Sequence, residues 1–159
     1  MWRPIENNQN FIGAEKMKVT KRQGNEERKI IIGMIVDKQV LGRIASKWDS
    51  GLFKSQWSNL IGQWCVDFYN EYEDAPKQEI ENLFASWADT ITADEDTIRI
   101  VEKFLANLSD EYQNYEDASN SNYTIDIAAN HFNKVKLKRL SESIAGNVSS
   151  GEIEKALDS

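Results

Sequence analysis

The side chains best suited to chemistry in this 159-residue chain are carboxylates grouped near its middle. Asp67 and Glu71 are spaced i, i+4, which places them on one face of a helix, with Glu73 and Asp74 following at its end. Helix-borne carboxylates hold Mg²⁺ when two facing helices each supply a pair. Here Glu71 and Asp74 straddle the helix end and Asp67 has no matching partner set. A solvated acidic face is therefore the favoured interpretation.

The sequence offers little else for catalysis. His131 is the single histidine and Cys65 the single cysteine, so histidine triads and Cys- or His-rich metal sites are not expected. The patterns GxxxxGK[ST], GxGxxG, GxSxG and HExxH are absent. We interpret Cys65 as a buried thiol and His131 as structural or exposed. The sequence thus predicts a protein that is not an enzyme, with no cofactor and no metal.

Charge is distributed unevenly along the chain. Residues 1–47 carry ten basic and five acidic residues, whereas residues 48–127 carry four and seventeen. An acidic block repels phosphate, so we expect no direct nucleic-acid binding by this chain and favour a basic protein partner. The longest apolar run, residues 30–36, is too short to span a membrane. The lone cysteine is compatible with a reducing cytoplasm, which is the expected location.

Hydrophobic periodicity predicts helices over most of the chain. We expect a buried helix over 25–47 with Asn25 as its N-cap, because 30–36 is apolar on every side. Further helices are predicted over 55–73 and 76–88, and from a capping box at 92–95 onward. The 55–73 helix carries one apolar stripe, and Trp57, Trp64 and Trp87 are expected in the core rather than as a stacking platform for bases.

The C-terminal quarter reads as a helical hairpin. A polar linker over 116–123 precedes a helix predicted over 124–145, Gly146 is placed as its left-handed cap, and a second capping box at 149–152 opens a short return helix. The expected organisation is an arm over 1–24, a helical body over 25–117, and a linker with a helical hairpin over 118–159. The predicted fold class is all-α.

The helix over 124–145 carries more apolar surface than a single core contact requires. Its two halves present adjoining apolar arcs that together span roughly 200°, whereas a surface helix covering one core needs about 100°. We therefore predict that the chain self-associates through this hairpin, although coverage by the body alone remains an alternative. The predicted interface residues are Ile125, Ala128, Phe132, Val135, Leu137, Leu140, Ile144, Ile153 and Leu157.

The order of these elements resembles a known family. Residues 25–37 have an acidic start, then an apolar stretch with an embedded Gly33, and then Asp37. This order is similar to the opening helix of the N-terminal domain of DnaB-type replicative DNA helicases. Leu52 and Phe53 with the helix after them, and 135–140 with 152–157, resemble that family's later turn and terminal hairpin. The middle of the chain, around 64–76, looks like divergent phage or prophage members.

The resemblance implies a six-helix globular body with a C-terminal helical hairpin and no ATPase activity of its own. It also implies a collar domain that forms dimers or hexamers in the primosome and docks primase or a helicase loader during DNA replication. Three alternatives remain open. They are the helicase-binding domain of a primase, a small metal-dependent nucleotide pyrophosphohydrolase, and a stand-alone phage or defence protein that binds a host helicase.

Overall fold

The structure, a computed structural model, describes residues 24–90, 95–115 and 121–149. Within these residues the chain forms α-helices and one 3₁₀ turn with no strand, which confirms the all-α prediction. The helices are α1 (24–36), α2 (Lys38–Ala45), α3 (Gln56–Tyr72), α4 (Ile80–Thr90), α5 (Glu95–Gln113) and α6 (Ser121–Ser149), with the 3₁₀ turn over Lys77–Glu79 before α4.

Helix α1 is the centre of the core. Its apolar side chains point in every direction around the helix axis, and all of them are buried, as the sequence predicted for a central helix. A helix of this kind is stable only when other elements enclose it completely, so the remaining helices are arranged around it. The buried apolar residues of α1 are Ile30, Ile31, Ile32, Met34, Ile35 and Val36.

The prediction of a single helix over 25–47 was wrong, because the helix is interrupted at Asp37. That residue is extended (φ −117°, ψ 108°) and caps α2, its Oδ1 accepting the backbone N–H of Gln39 at 3.0 Å and of Val40 at 3.3 Å. Its Oδ2 accepts the Tyr115 hydroxyl at 3.2 Å and the Ser121 hydroxyl. Asp37 therefore joins the α1–α2 corner to the chain after α5 and to the first residue of α6.

The start of α1 also differs from the prediction. Asn25 was expected to be the N-cap, but residues 24 and 25 are both already helical. The local cap signal was present at Asn25, yet the residue before it is helical as well. Hence Asn25 does not mark the beginning of α1.

The helix predicted over 55–73 is present as α3, with the Ser55 side chain accepting the Ser58 N–H at 3.3 Å. Its apolar stripe does not face the core uniformly. Ile61 and Cys65 are fully buried, whereas Trp64 is only partly covered. Burial raises the pKa of the Cys65 thiol, which fits the predicted inert, buried cysteine.

Helix α5 packs through an apolar stripe whose residues are spaced four and three apart, as in a heptad. Val101, Leu105, Leu108 and Tyr112 are all buried. On its outer face, Arg28 of α1 reaches α5, with Nε 2.6 Å from Glu111 Oε1 and two guanidinium nitrogens bonded to Asn107 at 2.7 and 2.8 Å. This exposed network sets the register of α1 against α5.

Helix α6 is longer than predicted at both ends. Residues 121–123, assigned to the polar linker, are helical, and the helix continues through Gly146 to Ser149. The left-handed cap predicted at Gly146 was therefore wrong. The predicted return helix, with Ile153 and Leu157, lies outside the described residues. At the other end, buried Thr124 packs on α1, and a Cβ added to Gly33 would lie 3.1 Å from its Cγ2.

The glycine in α3 allows a close ring contact that stability measurements can test. A Cβ at Gly62 would lie 2.6 Å from Cη2 of Trp48, whose indole N–H is held by Gln63 Oε1 at 2.8 Å. Overpacking of this kind destabilises by about 1–3 kcal/mol. The helix propensity of alanine recovers only ~0.5–1 kcal/mol. We therefore expect Gly62→Ala to lower the free energy of unfolding measured in urea.

Gly146→Ala is the matched control, because Gly146 is helical and a Cβ there meets no described atom within 4 Å. It should raise the free energy of unfolding by about 0.5–1 kcal/mol, as replacement of a mid-helix glycine normally does. Equal effects of the two substitutions would contradict the close approach of Trp48 to α3.

Candidate interaction surfaces

The first half of α6 belongs to the body. Ile125, Ala128 and Phe132 are buried, and Val135 is partly buried against the core. The Phe132 ring meets the Phe53 ring edge-on at 5.7 Å between centroids. These four predicted interface residues are therefore covered by the chain's own helices, as the alternative interpretation allowed.

The second half of α6 is different, because every residue from 136 to 146 is exposed. Leu137, Leu140 and Ile144 are 65%, 58% and 50% exposed, although side chains of this type normally contribute to a core. We call these three side chains the α6 stripe. Of the nine predicted interface residues, it contains the three that the described body does not cover.

An ion pair fixes the direction of α6 just beside the α6 stripe. Arg139 donates from Nη1 to Asp49 Oδ2 at 2.7 Å and from Nη2 to the Gly51 carbonyl at 2.8 Å. Gly51 has φ +93°, a backbone conformation that side chains disfavour, and a Cβ there would lie 3.1 Å from Nη2 of Arg139. Arg139 therefore connects α6 to the turn between α2 and α3, while no described residue covers the α6 stripe.

Glu27 and His131 form a polar contact inside the body. His131 Nε2 lies 3.1 Å from Glu27 Oε2, and their side chains are 13% and 11% exposed. Among the described residues, His131 Nε2 has no hydrogen-bond partner of acceptable geometry, although it lies this close to the carboxylate. The same oxygen accepts the Lys54 backbone N–H at 2.7 Å, and the imidazole lies against Phe53. His131 is thus a structural residue, which is one of the two roles predicted for it. Together with Glu27 of α1 it holds residues 53 and 54 against α6.

The acidic residues considered for metal binding are dispersed. In the described ranges no three Asp, Glu, His or Cys side chains come close enough to hold a metal ion. Asp67 and Glu71 are exposed on α3, and the Asp67 carboxylate accepts the Gln63 amide at 2.9 Å. With residues of α4 they line an aromatic groove, which no pattern in the sequence predicted.

None of the described helices is both long enough and apolar enough to cross a lipid bilayer. The chain matches no protein-family model, no curated protein and no solved structure. The resemblance to the N-terminal domain of DnaB-type helicases therefore remains a prediction made from the residues.

The long-range polar contacts were missed from the sequence, among them Glu27 with His131, Asp49 with Arg139, and Asp37 with Ser121. The members of each pair lie far apart along the chain, and no local pattern connects them. Only Asp37 gave a signal, because an Asp inside an apolar helix pattern is a candidate N-cap.

The pH dependence of stability tests the Glu27 contact. Burial raises the pKa of Glu27, but the His131 imidazole and the Lys54 backbone N–H oppose it, and the net pKa is lowered from 4.5. A lowered folded-state pKa stabilises the fold above pH 4.5, and that contribution is lost as the pH falls through the folded value. We expect Glu27→Gln to be less stable than the parent at pH 5.5, with the gap narrowing toward pH 3.

Urea unfolding at half-unit pH steps measures this gap. Glu102→Gln on the exposed face of α5 is the control and should show no comparable narrowing. If the Glu27→Gln gap widened with acid instead, the stabilising role assigned to the charged carboxylate would be wrong.

Proposed function

We propose that this chain is a non-catalytic domain that self-associates through the α6 stripe and docks a further protein. The observation that supports this most strongly is the set of exposed side chains Leu137, Leu140 and Ile144 on a helix end that no described element covers. Isolated exposed apolar residues are ordinary, but three in line on one helix face are typical of a protein contact.

The spacing of the α6 stripe supports a second copy of the chain as the occupant. The intervals of three and four residues match the a and d positions of a coiled-coil seam. Such a stripe is self-complementary, because two copies related by a two-fold axis present the same side chains to each other. Burying one Leu or Ile side chain fully stabilises by about 1.5–3 kcal/mol, so three from each copy give a meaningful driving force.

The proposed seam is larger than the α6 stripe alone. A stable interface usually buries about 1,200 Å² or more in total, which three half-exposed side chains per copy do not supply. We therefore include the predicted return-helix residues Ile153 and Leu157 in the proposed seam. The buried residues Ile125, Ala128 and Phe132 stabilise the base of α6 and lie outside the proposed seam.

The class of protein we propose is the N-terminal collar domain of a DnaB-type replicative helicase, acting in the cytoplasm. Its support is the residue resemblance together with a helical body followed by a helix with a free apolar end. The docked partner would be a primase or helicase loader. The acidic block over 48–127 suits a partner with a basic surface. The helicase-binding domain of a primase, the first alternative, would use the same surfaces.

Self-association is tested by substituting the middle of the α6 stripe. Leu140 is 58% exposed, so Leu140→Asp should leave the fold intact while placing a charge in each half of the seam. We expect the dissociation constant from sedimentation equilibrium to rise at least tenfold, equivalent to about 1.4 kcal/mol. Phe132 is unsuitable for this test, because it is 4% exposed and a charge there would disrupt the core.

Ile100→Asp is the matched control, because Ile100 is 47% exposed on α5, away from the α6 stripe. It should leave the dissociation constant unchanged. A parent chain that stays monomeric at high concentration, or a Leu140→Asp variant that associates as strongly as the parent, would reject the seam. Light scattering with and without the cognate primase then tests the docking role separately.

A further inference from the structure

Helices α3 and α4 line an open surface groove of about 650 Å³. Trp64, Phe68 and Tyr72 follow one another at four-residue intervals along α3 and form one wall. Leu83 and Trp87 of α4 form the other wall. Because residues four apart share one face of a helix, the three α3 rings lie along the same side of α3.

The groove rings are only partly covered. The Trp64 and Trp87 centroids lie 5.7 Å apart across the groove, and those of Phe68 and Tyr72 lie 4.7 Å apart along α3. Tyr72 is 60% exposed. The sequence pattern predicted Trp64 and Trp87 in the core. Trp64 packs against the core edge, but both indoles line the groove, since α4 meets α3 only along one side.

Among the described residues, every charged side chain that lines the groove is acidic. Asp67, Glu71 and Glu79 line it, and no described Lys or Arg does. Within the described residues none of the three carboxylates forms an ion pair. Asp67 and Glu79 each accept a hydrogen bond from a neutral side-chain amide at 2.9 Å. The Glu71 carboxylate raises the pKa of the Tyr72 hydroxyl. Aromatic faces between uncompensated carboxylates favour a cationic, partly apolar ligand.

We propose that this groove binds the chain's own N-terminal segment, residues 1–23, through its basic and apolar side chains. That segment carries five basic and two acidic residues, a net charge of +3. In its second half, Lys16, Met17, Lys18 and Val19 alternate charged and apolar side chains. An extended segment with this alternation presents apolar side chains to one face and ammonium groups to the other.

The geometry of the chain permits this contact. The described part begins at residue 24, so the whole segment precedes α1. Twenty-three extended residues reach up to roughly 75 Å. A domain of this length has a radius of gyration of only ~15 Å, so the segment can reach the groove of its own body or of a neighbouring copy.

Other occupants fit the groove less well. A nucleic acid could stack bases on the rings, but the three carboxylates would repel its phosphates, and no basic side chain from the described ranges lines the groove to offset them. The α6 stripe carries neighbouring Lys136 and Lys138 but is already the proposed seam with a second copy. This inference is independent of that seam, since the groove and the α6 stripe share no residue.

Site-specific photo-cross-linking in the full chain tests the proposal. p-Benzoylphenylalanine in place of Tyr72 puts a photoreactive ketone in the groove, and the same group in place of exposed Ile100 on α5 is the control. After irradiation, peptide mass spectrometry identifies the attached residues. We expect cross-links from position 72 to peptides of 1–23, and at least fivefold fewer from position 100. An equal mixture of ¹⁴N- and ¹⁵N-labelled chains shows whether they form within or between copies.

Charge reversal shows whether complementarity causes the contact. Glu71→Lys combined with Asp67→Lys should lower the yield of cross-links from position 72 to residues 1–23 at least fivefold. Adding Lys18→Glu with Lys21→Glu should restore that yield. Circular dichroism confirms that these exposed substitutions leave the helices intact. Cross-links from position 72 to any other segment, to co-purified nucleic acid, or at yields unchanged by charge reversal would overturn the proposal. Because the Leu140→Asp test does not involve the groove, either proposal can fail alone.

Discussion

The central constraint in this fold is that α1 has no polar face along its buried length. Ile30, Ile31 and Ile35 point in different directions, so water must be excluded around the whole circumference of the helix. A single layer of helices cannot achieve this, so α2, α5 and α6 are drawn around α1. The close approach at Gly33, where an added Cβ would crowd Thr124, shows how tightly α6 is drawn in.

Polar contacts give this apolar core a unique arrangement. Asp37 ends the run of α1, caps α2 and binds Ser121 at the start of α6, so one carboxylate defines a corner and the entry of a distant helix. Arg28 and Arg139 do the equivalent at the surface, connecting α1 to α5 and α6 to the α2–α3 turn. Hydrophobic burial is non-directional, whereas these contacts specify which helix faces meet.

The same constraint explains where surfaces remain for other molecules. Once α1 is enclosed, α6 has more length than the body can contact, and its end from 136 to 146 is exposed. Helix α4 likewise covers only one side of the α3 stripe, leaving the rings of Phe68 and Tyr72 beside Asp67. The α6 stripe is apolar with basic neighbours, whereas the groove between α3 and α4 is aromatic and acidic. The two surfaces therefore suit ligands of different polarity and charge.

The sequence alone determined the all-α class, the burial of 30–36, the α3 and α5 stripes, and the surplus apolar surface of α6, because each follows from periodicity within one helix. It did not determine which part of that surplus the body covers. Phe132 and Leu140 both lie on the apolar arcs predicted for one helix, yet Phe132 is buried and Leu140 is exposed. Burial differs because it depends on where the neighbouring helices end. Tertiary structure likewise decided that Asp37 interrupts a helix, that α6 continues through Gly146, and that Trp87 borders a groove. The reason is that each outcome rests on contacts between residues distant in the chain, which local propensity does not encode.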